Sequence, residues 1–250
     1  MDTKVVEEIF KVAKDQGWID KLLDYFTKKH NVLLLGCSGA GKTELIKSLE
    51  SLNPEIIHYT SRTRDKTISD MKINKIPFNF IDLPGEQDDI SVRNRAIEEH
   101  VKNLDLIINV VSYGYHEYTY GKNYAFDNKH QISDEYLISN RERELEAIQE
   151  WSMALGGKRD YRLITVITKA DLWWGDCKLV TDYYSKGDYF KALNSAQHLN
   201  PTVMPYCSVI KKFYDEVPTS GMIDETERLR FRNNLLRVLV EVVGKGGSKK

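Results

Sequence analysis

Short apolar runs alternate with longer amphipathic stretches along this chain. Val32-Leu33-Leu34-Leu35, Phe78-Asn79-Phe80-Ile81, Leu104 to Val111 and Leu163 to Ile167 have the length and character of buried strands. Met204-Pro205-Tyr206-Cys207-Ser208-Val209 is a weaker run, read as a short strand entering a loop. Helical stretches lie between them: Glu44 to Leu49, a segment ending near His100, another from near Ser133 to Leu155, and a last from about Asp224 to Val243. In the third, Leu145, Ile148 and Trp151 are expected to face the core. Glu142, Arg143, Glu144 and Glu146 are expected to form its solvated face, and Gly156-Gly157 to end it. In the last, Leu229, Leu235, Leu236, Leu239 and Val242 are the core candidates. A strand pair is expected around Lys75. This alternation predicts an α/β fold, a mainly parallel sheet flanked by helices.

Three segments stand outside the alternation. Residues 1–30 read as an N-terminal helical extension, split near Gly17. Val5, Val6, Ile9, Phe10 and Ala13 share one face; Trp18, Ile19, Leu22, Leu23 and Phe26 share the next. A packed structural cap is the favoured reading over a nucleotide-sensitive arm or a membrane-interface helix. Residues 113–133 form a polar insertion with Tyr113, Tyr115, Tyr118, Tyr120 and Tyr124. Tyrosines supply amphipathic contact area, so a partner-binding surface and a flap packed on its own domain both stand. Residues 244–250 read as a flexible tail, leaving residues 31–243 as one domain.

Composition removes several classes of function. The 250 residues carry 36 Lys+Arg against 37 Asp+Glu, a net charge of −1, so no global basic field draws the chain to nucleic acid. Acidic and basic residues balance across residues 1–30, which disfavours a peripheral membrane anchor. No apolar run is long enough to span a bilayer, and the N-terminus lacks a signal-peptide core. Cys37, Cys177 and Cys207 are too scattered for a disulfide framework or a metal-ligand pair. A cytoplasmic protein is expected.

The chemistry concentrates at strand ends. Gly36-Cys37-Ser38-Gly39-Ala40-Gly41-Lys42-Thr43 matches G-x-x-x-x-G-K-[ST] between an apolar run and a helical one. Such a loop turns its N–H groups onto phosphate oxygens at a helix N-terminus. Lys42 would neutralise the β- and γ-phosphates and Thr43 would ligate Mg²⁺. Thr168-Lys169-Ala170-Asp171 follows a later strand. With this box in order after a phosphate loop, the chain resembles the P-loop GTPases, whose base-reading motif is [NT]-K-x-D. The resemblance implies that Asp171 accepts two hydrogen bonds from guanine and that the Lys169 stem packs along the base. Adenine offers no such donor pair.

The same resemblance assigns the remaining positions. Asp82-Leu83-Pro84-Gly85 matches D-x-x-G, with Asp82 holding Mg²⁺ through a water and the Gly85 N–H sensing the γ-phosphate. Thr63-Arg64-Asp65 is similar to the switch-one motif of the Era and TrmE type within the translation-factor-related class, at the same nineteen-residue spacing to the D-x-x-G aspartate. Thr63 is therefore the expected Mg²⁺ and γ-phosphate threonine, with Thr60 and Thr67 as competitors. Ser208 is expected to support Asp171, and the Val209 N–H to reach the guanine carbonyl. Glu86 occupies the place where many small GTPases carry a water-positioning glutamine, with Gln87 next to it. A carboxylate there adds repulsion, so Gln87 or a partner's group would have to serve; Arg62 and Arg64 flank the switch threonine, and surface solvation is the preferred reading of each over a finger in cis. Some Era and TrmE relatives have asparagine where this chain has Gly39. Trp173-Trp174 would wall the base pocket, anchor a partner or, the preferred reading, pack the following helix. The expectation is a guanine-nucleotide switch that hydrolyses GTP slowly with Mg²⁺, aided by a protein effector, an activator or nucleotide-dependent homodimerisation. The alternative is a GTP-binding interaction module with negligible hydrolysis.

Overall fold

A computed structural model describes residues 27–53, 66–85, 90–118, 122–156, 162–197 and 201–244. The helices expected within residues 1–26 and the tail from 245 lie outside these, as do Thr60, Arg62, Thr63, Arg64, Glu86, Gln87, Tyr120 and Gly157.

The described residues form a six-stranded sheet: β1 His30–Leu35, β2 Thr67–Ile73, β3 Ile76–Asp82, β4 Leu104–Val111, β5 Leu163–Ile167 and β6 Thr202–Pro205. The spatial order is β2-β3-β1-β4-β5-β6, with β2 antiparallel at one edge and every other pairing parallel. The central strands are buried on both faces, which is why they read as unbroken apolar runs. β2 and β3 join through Asn74-Lys75, with φ of 49° and 69°. Two successive positive φ values match the mirror-image turn that suits the twist of paired strands, and here a lysine takes a place usually given to glycine.

Helices cover the sheet: α1 Lys42–Glu50, α2 Ile90–His100, α3 Asp134–Leu155, α4 Cys177–Lys186, α5 Asp188–Gln197 and α6 Glu225–Gly244. Local signals bound α3. The Ser133 hydroxyl accepts the Tyr136 N–H at its start, and Gly156 closes it at φ 70°. One expectation about α3 fails. Glu144 is 2% exposed and shares the inner face with Asn140, Ala147, Ile148 and Trp151. A buried carboxylate needs partners. Glu144 accepts hydrogen bonds from the Ser112 N–H at 2.9 Å and from the Tyr184 hydroxyl, and His116 Nε2 lies 3.5 Å away. Burial pushes its carboxyl up to about 7, while the Ser112 and Tyr184 donors pull it down.

The buried face of α6 is also displaced from expectation. Leu235 and Leu239 are fully buried, but Arg228, Phe231 and Val243 join them, whereas Leu229, Leu236 and Val242 lie at the flanks. Arg232 reaches α1 and donates to the carbonyls of Ser48 at 2.8 Å and Leu49 at 2.7 Å. A helix leaves its last carbonyls without internal partners, so this arginine secures the far end of the helix that starts at the phosphate loop.

Tyrosines at the start of the insertion turn inward. Tyr184 donates its hydroxyl proton to Glu144, and its oxygen accepts the Tyr113 N–H at 2.9 Å. Tyr115 meets Phe213 edge-on, and Tyr118 stacks on His116. Tyr124 is 78% exposed. Tyr113, Tyr115 and Tyr118 thus pack on their own domain.

Candidate nucleotide site

The C-terminal ends of β1, β3, β4, β5 and β6 bring their following loops to one edge of the sheet, the edge where open α/β sheets bind ligands. Residues 36–41 link β1 to α1. Gly36 adopts φ 133°, and a Cβ there would stand 2.2 Å from the Val110 carbonyl oxygen, so the turn admits only glycine. Ser38, Gly39 and Ala40 form the crown of the loop, and the Leu45 N–H bonds to the Gly41 carbonyl as α1 begins.

Lys42 folds back over this loop. Its Nζ donates to the carbonyls of Gly36 at 2.9 Å and Cys37 at 3.1 Å. Burial lowers the pKa of this ammonium, and nearby Asp82 opposes the shift. The Thr43 hydroxyl donates to Asp82 Oδ2 at 2.9 Å, so two hard oxygen ligands already stand side by side. Asp82 ends β3, and the next turn lies directly on the phosphate loop: the Ser38 N–H donates to the Gly85 carbonyl at 3.0 Å. A Cβ on Gly85 would fall 2.5 Å from Lys42 Nζ.

The second half of the site grows from β5. The Thr168 hydroxyl lies against two carbonyls, those of Ala40 and, at 3.0 Å, Val111. Thr168 therefore ties the loop after β5 to the crown of the phosphate loop. Lys169 takes φ 56° and aims its ammonium across the cleft to Glu117 Oε2 at 2.9 Å. Asp171 is buried at a cleft whose lining includes Gly41, Lys169, Asp171, Ser208, Val209 and Phe213. Burial raises the Asp171 pKa, and hydrogen bonds oppose the rise.

The supports of Asp171 differ from expectation. Cys207 Sγ donates to one carboxylate oxygen at 3.5 Å and the Lys211 N–H to the other at 3.2 Å. Ser208 lines the cleft, but its buried hydroxyl has no hydrogen-bond partner among the described residues, and its carbonyl instead accepts from Arg228. Val209 also lines the cleft, and its carbonyl, 3.4 Å from Cys207 Sγ, is the alternative acceptor for the single thiol proton. Burial pushes the thiol of Cys37 up to about 12 and that of Cys207 higher, so both are inert fillers at neutral pH. Trp173 is buried with its ring N–H on the Thr168 carbonyl at 2.7 Å, and Trp174 packs on Phe231 at 5.1 Å. Trp174 thus packs on α6 rather than on the following helix, and neither tryptophan lines the cleft.

The structure thus brings together Gly36, Ser38, Gly39, Ala40, Gly41, Lys42, Thr43, Asp82 and Gly85 in one half. It brings Thr168, Lys169, Asp171, Ser208 and Val209 together in the other. Thr67 begins edge strand β2, exposed and in register with Asp82. Lys211, Phe213 and Glu117, and the role of Cys207 beside Asp171, escaped the sequence reading. Cys207, Lys211 and Phe213 follow β6 closely enough for a longer loop motif to have included them; no local signal marks Glu117.

Residues 31–153 match the family model of the 50S ribosome-binding GTPases. No curated protein matches the chain. Among solved structures, the mammalian SRP receptor superposes with a TM-score of 0.55 at 15% identity, over 85% of this chain and 100% of its own. Translation elongation factor SelB from Methanococcus maripaludis, in complex with the GTP analogue GppNHp, gives 0.46 at 18% identity, over 86% of this chain and 33% of its own. A dimerization-deficient mutant of Toc33 from Arabidopsis thaliana gives 0.47 at 14% identity, over 90% and 91%. The sheet order and the first of these likenesses identify the fold as that of a P-loop GTPase G domain. No helix among the described residues is long and apolar enough to cross a membrane.

Proposed function

We propose that the chain binds guanine nucleotide and hydrolyses GTP to GDP and phosphate as a molecular switch. The observation that carries this reading is the Thr168 hydroxyl on the Ala40 carbonyl, which joins a phosphate loop and a cleft floored by the buried Asp171 into one continuous site. Phosphates would take the loop N–H groups and the Lys42 ammonium, exchanging the loop's own carbonyls for anionic partners. Asp171 would accept the paired guanine donors, and the Val209 N–H would face the base carbonyl. The Thr43 and Asp82 oxygens, already 2.9 Å apart, are a fitting pair to hold Mg²⁺, which would neutralise charge on the β- and γ-phosphates.

The switch element would be the turn at Gly85. Its carbonyl takes the Ser38 N–H, one of the donors that a phosphate would claim. Filling the loop therefore competes with the present seat of Gly85, and the motion passes to the residues that follow. Thr63 is proposed to close over Mg²⁺ and the γ-phosphate, and Glu86 and Gln87 to flank the attacking water. A carboxylate at that place favours slow turnover unless an activator or a second copy supplies a cation. An effector that reads the switch residues is the expected partner.

The test is binding of GTP and ATP, and phosphate release in Mg²⁺, over a series of protein concentrations. GTP-selective binding with slow release is expected, rising in specific activity with concentration if copies assist one another. Binding without release would make the chain a GTP-binding interaction module. Preference for ATP would overturn the assignment of Thr168 to Asp171.

A further inference from the structure

Glu117 lies after β4, in the insertion and outside every motif that implies nucleotide chemistry. It nevertheless bonds to three separate nucleotide loops. Its backbone N–H donates to the Gly39 carbonyl, at the crown of the phosphate loop, at 3.2 Å. Its Oε2 accepts the ammoniums of Lys169, from the base-reading loop, and Lys211, from the loop after β6, each at 2.9 Å. Its Oε1 accepts the Tyr214 N–H at 2.8 Å. The Glu117 side chain is 18% exposed, Lys169 12% and Lys211 27%, so the cluster is shielded from water and salt far more than a surface pair.

The charge count explains the arrangement. Two ammoniums share one carboxylate oxygen. Removing that negative charge leaves like charges facing each other at the rim of the cleft, and both lysines would swing away. Lys169 Nζ also lies 5.6 Å from the centre of the Phe213 ring, so its position sets one wall of the cleft. The seat of Glu117 is itself fixed from behind. The Tyr118 N–H donates to the Tyr214 hydroxyl at 2.7 Å, and the Tyr136 hydroxyl donates to the His116 carbonyl at 2.7 Å.

We propose that Glu117 is a positioning residue that clamps the phosphate loop, the base-reading loop and the loop after β6 around the base, so that the insertion controls how long a guanine nucleotide stays bound. This rests on the guanine-nucleotide reading above. Burial works to raise the Glu117 carboxyl, but Lys169 and Lys211 outweigh it and hold it at about 2. The carboxylate of the clamp therefore keeps its charge across the neutral range.

The experiment is stopped-flow association and dissociation of methylanthraniloyl-GDP on the full chain in Mg²⁺. Wild type is compared with Glu117→Gln, Lys211→Met and the double variant. The clamp predicts release about tenfold faster in Glu117→Gln, with association changed less than about threefold, because a preorganised pocket shows mainly in the off-rate. It also predicts a double variant that releases no faster than Glu117→Gln alone, since Lys211 acts through the same carboxylate. A merely structural tie would lower the melting temperature and slow association while leaving release within about twofold of wild type. Release within about twofold of wild type in both single variants overturns the clamp while leaving guanine-nucleotide binding intact. A wild-type chain that retains no methylanthraniloyl-GDP overturns the nucleotide reading and the clamp with it. Should Glu117→Gln fail to fold, Lys211→Met decides alone: faster release supports the clamp and unchanged release ends it.

Discussion

Asp171 owes its proposed selectivity to what surrounds it rather than to its charge alone. Its carboxylate is buried, and its two oxygens are oriented by the Cys207 thiol and the Lys211 N–H. A ligand that brings two N–H donors repays the cost of burying the carboxylate; one without them leaves its remaining acceptor sites unmet. Asp171→Asn turns one acceptor into a donor. Competition binding should then show affinity moving from guanosine towards xanthosine nucleotides, with a relative change on the order of 2 kcal/mol or more. An unchanged preference for GTP would count against Asp171 as the base reader. Fixed spacing made Lys42, Thr43, Asp82, Lys169 and Asp171 visible in the sequence, because backbone geometry demands those residues at those steps. Cys207 was not visible as the partner of Asp171. Which side chain after β6 points at the carboxylate depends on how that loop turns, and the family resemblance implied Ser208 instead.

At the scale of elements, α3 does more than cover the sheet. Glu144 joins it to the residue after β4 through the Ser112 N–H and to α4 through the Tyr184 hydroxyl. The ends of α3 were legible because Ser133 and Gly156 act locally. The inward turn of Glu144 was not, since it lies in a run of acidic and basic residues and its partners are distant in sequence. Its carboxyl is raised to about 7. Between the ordinary carboxylate range and that value the folded chain binds more protons than the unfolded chain. The stabilisation from this group is therefore complete at low pH and fades as pH climbs through about 7. His116 acts in the opposite sense: burial drives its pKa from 6.5 down to about 3, so the unfolded chain binds the extra proton near pH 5.5 and this contribution to stability grows with rising pH, in wild type and Glu144→Gln alike. Urea unfolding at pH 5.5 and pH 8 should show wild type losing more stability with rising pH than Glu144→Gln, a difference on the order of 2 kcal/mol. Equal pH slopes would mean that Glu144 titrates normally. The substitution should destabilise at both pH values, as one amide cannot serve both the Ser112 and the Tyr184 donors.

Across the whole molecule, alternating strand and helix signals were sufficient for the class of fold and the edge at which the site lies. They did not reveal that the insertion at Tyr113 to Tyr118 folds back to touch the phosphate loop, because that contact depends on aromatic packing against Phe213 and Tyr214. The result is a domain whose loops after β1, β3, β4, β5 and β6 all meet at one place, so occupancy there should be felt by the entire fold. Linkage makes this measurable. A ligand bound only by the folded chain adds about 2.7 kcal/mol at a hundred times its dissociation constant. For a chain of this size that corresponds to a rise of roughly 5–10 °C in the melting temperature. GDP with Mg²⁺ should produce such a rise, ADP with Mg²⁺ at the same concentration should not, and Lys42→Ala should lose most of the response because the phosphates forfeit their buried cation. Equal shifts with GDP and ADP would place the binding energy in the phosphate loop alone and remove Asp171 from the account. A GDP shift that survives Lys42→Ala in full would mean that the nucleotide sits elsewhere than between Gly36 and Asp171.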